Sequence, residues 1–257
     1  MPKVKLQLEL VTPLFSGGAD PRGKLELRAA PIRGELRYWL RALLGAQGIT
    51  GLDALQARES AVFGNTQVGS PITVRVRAAS GSALKQEHRS ILPHSNDPKK
   101  NHPVPAFKEN QLLELELVTR PGRDLPLEAL QASGLWLNFG GLGKRARRGF
   151  GSLQLRSLDV DGVILPPDIF KPGSIPLPAN GAALAAQLQA IASWALTGAV
   201  SLSTYPDFPT LAHGQSRIVV CQQALPVGVG AAPPYEQAMV AFWRVLRSPA
   251  LLSESAY

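Results

Sequence analysis

Lys3-Val4-Lys5-Leu6-Gln7-Leu8-Glu9-Leu10 alternates polar and apolar side chains without a break. That period of two belongs to a strand with one buried and one wetted face. A secretory leader would show a continuous apolar run instead, so no targeting segment is expected here. The same alternation returns further along. In 71–78, Ile72, Val74 and Val76 face one way and Thr73, Arg75 and Arg77 the other. In 112–118, Leu113, Leu115 and Leu117 point inward and Glu114 and Glu116 outward. A further strand begins at Leu153.

Helical periodicity fills the gaps between these strands. Pro31 suits a first turn and Gly45 a position just past the last one, and Leu36, Leu40, Leu43 and Leu44 with Trp39 make the apolar stripe. Arg33, Arg37 and Arg41 fall at i, i+4 and i+8 and share a face. A short helix around 126–136 precedes a glycine-rich loop at 140–151. The order strand, helix, strand, strand, helix, strand predicts an α+β fold. It is the ferredoxin-like (RRM-like) arrangement, an antiparallel sheet backed by two helices, over residues 1–160. Leu6, Leu8, Val74, Val76, Leu115 and Leu153 are expected to face Leu36, Leu40 and Leu130.

Two segments interrupt the pattern. Residues 79–111 form a polar insertion too long for a hairpin turn, and so functional or mobile. Residues 161–181 are proline-rich and aperiodic, a linker to a C-terminal unit ending at 257. That unit has a helix at 182–197, a strand at Arg217–Cys221 and a helix around 235–247. It is expected to be mostly helical or a reduced second ferredoxin-like unit. The uncharged stretch 172–206 carries Leu184, Leu188, Ile191 and Ala195 on one helix face, interrupted by Gln187, Gln189, Ser193 and Thr197. It is a packed helix and not a membrane span.

Composition narrows the function. The 257 residues suffice for one large or two small domains. A single cysteine, Cys221, excludes an internal disulfide and a thiolate zinc site, and fits a reducing, cytoplasmic compartment. Residues 1–160 hold 23 Lys/Arg against 14 Asp/Glu, a net of +9, whereas 161–257 hold 4 against 5, a net of −1. The basic excess therefore lies wholly in the first 160 residues. Such asymmetry points to a polyanion, most commonly nucleic acid.

The chemistry concentrates in Gly140-Gly141-Leu142-Gly143-Lys144-Arg145-Ala146-Arg147-Arg148-Gly149-Phe150-Gly151. Glycines allow positive φ and close backbone approach, and consecutive N–H groups can form an anion-binding nest. Lys144, Arg145, Arg147 and Arg148 add cationic donors for phosphate. The loop is not a P-loop, because Arg145 follows Gly143-Lys144 and Asn138 occupies the first glycine position. Nor is it a dinucleotide fingerprint, since it follows a helix and opens a strand. Arg148-Gly149-Phe150-Gly151 matches the first half of an RRM signature, but Ser152 and Leu155 replace the stacking aromatics. Phosphate binding through Gly141, Gly143, Gly149 and the four cations, without an obvious base-stacking platform, is the expectation.

This loop resembles the glycine-rich loop of the RAMP superfamily, the RNA-binding proteins of CRISPR systems built on ferredoxin-like folds. Thr12-Pro13-Leu14-Phe15-Ser16-Gly17-Gly18-Ala19-Asp20, then Glu26 through Ala42, then Phe63-Gly64-Asn65-Thr66 resemble the first Cmr-type RAMP subunit of type III-B CRISPR effector complexes. The resemblance covers about residues 4–155. It implies a non-catalytic subunit near the 3′ end of the guide RNA, holding guide or target RNA beside other RAMP subunits. Arg33, Arg37 and Arg41 could then follow phosphates, and Ser16-Gly17-Gly18 could add backbone donors. No cofactor, metal or membrane is implied.

A nuclease remains the alternative. Related backbone-forming subunits use an aspartate between the first strand and first helix for metal-dependent RNA cleavage, and Asp20 lies in that interval. Its more natural role is in the turn. His88, His94 and His102 fall in the insertion with spacings poor for zinc, although a histidine base is conceivable. The insertion could also reach across RNA as a thumb. A basic adaptor that touches only proteins is the third class. Trp136, Trp194, Phe242 and Trp243 sit at helix positions and are assigned to core.

Overall fold

In the computed structural model the central element is β1 (Lys3–Leu10), in which Val4, Leu6, Leu8 and Leu10 are all buried. The structure describes residues 2–18, 24–79, 81, 83–91, 103–161, 181–204 and 206–212. One edge of β1 pairs antiparallel with β5 (Leu112–Thr119) and the other with β6 (Leu153–Asp161). β2 (Ile72–Ala78) pairs antiparallel with β5, so the four strands run β2-β5-β1-β6 across the sheet. Consecutive apolar positions of β1 meet apolar partners, Leu6 opposite Leu115 and Leu8 opposite Leu113, so a one-residue slip would turn both sets to water.

The inner face packs on α1 (Ala29–Ala46) and α3 (Leu127–Phe139). Ile32, Leu36, Leu40, Leu43 and Leu44 of α1 and Leu130, Leu135 and Trp136 of α3 join the strand residues in one core. Each fully buried side chain of this size contributes about 1.5–3 kcal/mol. Every residue expected to face inward is buried except Val76, which is partly buried against the same core. Gly45 is not the helix terminus. α1 continues to Ala46, and a Cβ at Gly45 would sit 2.9 Å from Thr210 Oγ1. Its bare backbone makes room for Thr210 and Phe208.

The outer sheet face is laced with paired charge. Glu114 meets Lys5 Nζ at 2.6 Å and accepts from Arg77 Nε at 2.6 Å, while Arg156 pairs with Glu9. The hydrogen bond from Lys5, then that from Arg77, outweighs desolvation and holds the Glu114 carboxyl below its ordinary value.

Three elements were not foreseen. α2 (Leu52–Phe63) follows α1, and β3 (Gln86–Ser90) and β4 (Pro103–Phe107) pair antiparallel within the insertion. Leu14 and Phe107 exchange backbone hydrogen bonds of 3.0 and 2.9 Å, tying this ribbon to the chain after β1. α4 (Gly181–Ala195) and the residues after it return to the first unit: Val200 N donates to Ala46 O at 2.8 Å and Leu211 N to Ala42 O at 3.1 Å. The strand at Arg217–Cys221 and the helix at 235–247 lie outside the described residues. Among the described residues no helix is long and apolar enough to cross a membrane.

Candidate nucleic-acid interface

The glycine-rich loop leaves α3 at Gly140 and enters β6 at Leu153, and it is stitched to the segment after β1. Lys144 N donates to Phe15 O at 2.8 Å and Gly151 N to Pro13 O at 2.9 Å. Thr12 Oγ1 donates to Gly149 O at 2.7 Å and accepts from Ser152 N at 3.0 Å. Beneath the loop, Phe15 and Phe150 meet edge to face at 4.8 Å, joined by Ala106 of the insertion ribbon. The stitching requires glycine at two points. Gly143 has φ +81 and a Cβ there would approach Phe15 O to 2.5 Å; Gly151 has φ +61 and its Cβ would overlap the Leu142 carbonyl.

Arg147 and Arg148 ride on a single 3-10 turn, Ala146–Arg148, with Lys144 and Arg145 just before it. Arg145 enters it at φ 64, in the left-handed region a non-glycine residue rarely occupies. The amides of Leu142, Lys144, Arg148, Gly149 and Gly151 all donate to backbone carbonyls within the fold. Much of the expected backbone nest is therefore used internally.

A cleft of about 990 Å³ opens between this loop and α1. Arg145, Arg147 and Arg148 line one side, with Gly140, Gly141 and Gly143; Gly34, Glu35, Tyr38 and Trp39 line the other, with Phe139 at the end of α3. Tyr38 stands edge to face on Trp39 at 5.6 Å, and Trp39 leans on Phe139 at 6.3 Å. Trp39 Nε1 is buried with no hydrogen-bond partner among the described residues. Burial raises the Glu35 carboxyl above its ordinary value, and the charge of Arg147 opposes that rise. The aromatics that line the cleft come from α1 and α3, not from the strand where an RRM carries them. Adjacent Tyr38-Trp39 on a helix with Gly34 one turn earlier was the available signal.

Arg33, Arg37 and Arg41 are directed elsewhere. Arg37 Nη2 donates to Phe63 O at 2.8 Å and Gly64 O at 2.6 Å, and Arg33 Nη2 to Phe63 O at 3.2 Å. These are carbonyls at the C-terminus of α2, where cations are favoured. Arg37 and Arg41 both bond the buried Glu59, and Arg37 lies 5.8 Å from the Phe63 ring centre. Burial pushes the Glu59 carboxyl up, but the hydrogen bonds from Arg41 and Arg37 prevail and hold it below its ordinary value. The row clamps α2 to α1.

Ser16 Oγ donates to Glu26 O at 2.8 Å, Gly17 bridges to Leu25, and Gly18 lies against the Glu26 carboxylate. This turn joins the loop through Phe15, but an acidic side chain covers it. Asp20, His94 and His102 lie outside the described residues. His88 is exposed on β3, and no group of three or more His, Cys, Asp or Glu among the described residues could hold a metal ion. Trp136 is buried, as expected of a core residue, and Trp194 is partly buried against the same core; Phe242 and Trp243 lie outside the described residues.

Residues 7–154 match the RAMP superfamily. The chain belongs to the RAMP superfamily. Among curated RAMP relatives, the CRISPR system Cmr subunit Cmr1-2 of Pyrococcus furiosus is 30% identical over 176 residues, 59% of this chain and 94% of that protein. The apo crystal structure of Cmr1 from Pyrococcus furiosus aligns with TM-score 0.50 and 22% identity, over 62% of this chain and 50% of that one. A chain of the type III-B Cmr-beta complex bound to cognate target RNA aligns with TM-score 0.57 and 14% identity, over 77% and 63%. The chain spans half to under two-thirds of the length of these solved chains, and the likeness to them is one of fold.

Proposed function

We propose that this chain is a non-catalytic, RNA-binding RAMP subunit of a type III-B CRISPR ribonucleoprotein. It holds guide or target RNA near the guide 3′ end, beside other RAMP subunits in the cytoplasm. The observation that carries this reading is the cationic 3-10 turn, mounted on glycines and lining a cleft, in a chain of this superfamily. The sheet order β2-β5-β1-β6, with α1 and α3 on one face, supports a ferredoxin-like unit over residues 1–160. Lys144, Arg145, Arg147 and Arg148 take phosphates, positioning the strand without reading bases. The insertion ribbon abuts the loop through Ala106 and Phe150, which supports its reaching over bound RNA as a thumb.

The test is incubation of the purified protein with guide-like RNA, with and without divalent metal. A mobility shift with intact RNA in both cases is expected. Cleavage that depends on metal and disappears in Asp20→Ala would replace this reading with a nuclease.

A further inference from the structure

The cleft between α1 and the glycine-rich loop contains more than phosphate binding needs. A backbone phosphate calls for cations and amides; it has no use for an aromatic wall, and a carboxylate repels it. Yet Tyr38, 43% exposed, and Glu35 line the same cleft as Arg145 and Arg147. At about 990 Å³ the cleft lies at the upper end of the range for small-ligand sites. We propose that it accepts one unstacked RNA base, with Tyr38 as stacking platform and Glu35 reading the Watson–Crick edge, and that guanine is the base preferred. The proposal rests on the RNA-binding reading above.

Sequence-specific RNA recognition generally uses such splayed bases, stacked on aromatic rings or guanidinium planes and hydrogen-bonded at their edges. Here Tyr38 and Glu35 line one side of the cleft and Arg145 and Arg147 the other. Trp39 meets the Tyr38 ring edge to face and is itself backed by Phe139. The selectivity follows from donor and acceptor counting. An ionised carboxylate has two acceptor oxygens and no donor. Guanine alone presents two neighbouring donors, N1–H and the N2 amino group, at its Watson–Crick edge. Adenine and cytosine set one amino group beside a ring-nitrogen acceptor, and uracil sets N3–H between two carbonyls, so each opposes a lone pair to the carboxylate. Burial raises the Glu35 carboxyl from its ordinary value of 4.5, and the charge of Arg147 across the cleft opposes that rise. Gly34 leaves the entrance clear: a Cβ there would have nothing within 4 Å.

The experiment is equilibrium binding of the full chain to labelled oligouridines in which one central uridine is replaced by G, A or C, at fixed salt. The guanine-bearing strand should bind about tenfold more tightly than the all-uridine strand, with A and C close to uridine. Glu35→Gln should erase that preference and leave the salt dependence unchanged. Gly34→Leu should fill the cleft and weaken every oligomer by about tenfold. Its melting temperature should hold or rise, because a helical glycine has been replaced. Equal affinity for all four strands in the wild type, or full affinity in Gly34→Leu, would overturn the base site while leaving phosphate binding at the loop intact. Failure to bind any RNA would overturn the loop reading itself, and the base site with it.

Discussion

Arginines sit on two sides of α1, and their surroundings differ. Arg33, Arg37 and Arg41 point at α2, where one buried carboxylate and two terminal carbonyls engage them. Arg145 and Arg147 stand across the cleft from Tyr38 and Trp39, raised on a turn whose glycines are tied to Thr12–Phe15. Regular spacing on a helix says only that side chains share a face. Whether that face meets solvent or another helix depends on what the chain does next, and here it makes α2. The irregular loop, with no periodicity, keeps its cations at a ligand-sized opening.

The largest effect should come from disturbing the loop's seat with all its charges kept. Gly143→Val forces a β-branched residue to positive φ and drives it toward Phe15 O. A loss of about 2–4 kcal/mol of stability is expected, together with weakened RNA binding. Denaturant titration and RNA binding on the folded fraction measure the two. Unchanged RNA affinity would mean the loop's geometry is irrelevant to its role.

The clamp should show the converse behaviour. Glu59→Gln removes the carboxylate between Arg37 and Arg41, at about 2 kcal/mol, or about 4–8 °C in Tm. RNA affinity should stay put. Because the folded Glu59 carboxyl lies below its ordinary value of 4.5, its stabilisation is present above that pH and is lost as pH falls below it. The variant's stability should therefore fall less steeply on acidification than the wild type's. A variant as stable as wild type but poor at RNA binding would assign the row to the ligand.

This contrast also explains what could be read from the sequence. The four sheet strands, α1 and α3 announce themselves because alternation and helical stripes are local signals. α2 does not, because its buried face includes Glu59, whose burial depends on arginines 18 and 22 residues earlier. β3 and β4 are polar or proline-bearing, and pair with each other inside the insertion. The loop's cations were evident from composition alone. The cleft was not, since Gly34, Glu35, Tyr38 and Trp39 meet Phe139 and the loop only after α1 and α3 dock on one sheet. Tyr38 and Trp39, adjacent on α1, divide between cleft wall and packing in a way periodicity does not resolve.

A smaller effect should separate strain from charge within the loop. Arg145→Gly relieves the left-handed backbone at φ 64 and removes one cation. Stability should rise by about 0.5–1 kcal/mol, while the slope of log K against log salt flattens by about 0.7, one phosphate on a single strand. Calorimetry and a salt titration report the two independently, and a destabilised variant would mean Arg145 contributes contacts to the fold.

The difference between the two arginine groups is tested most directly by the salt dependence of RNA binding in a variant with Lys144, Arg145, Arg147 and Arg148 all changed to Ala. Four phosphate contacts would flatten the slope by nearly 3, but neighbouring loop side chains rarely share one direction, so a change of about 1–2 is expected. The loss should be similar for unrelated strands lacking guanine, because phosphate contacts do not read bases. Glu59→Gln should leave the wild-type slope in place. If the fourfold variant keeps both affinity and slope, the loop does not hold RNA, and the row on α1 becomes the site.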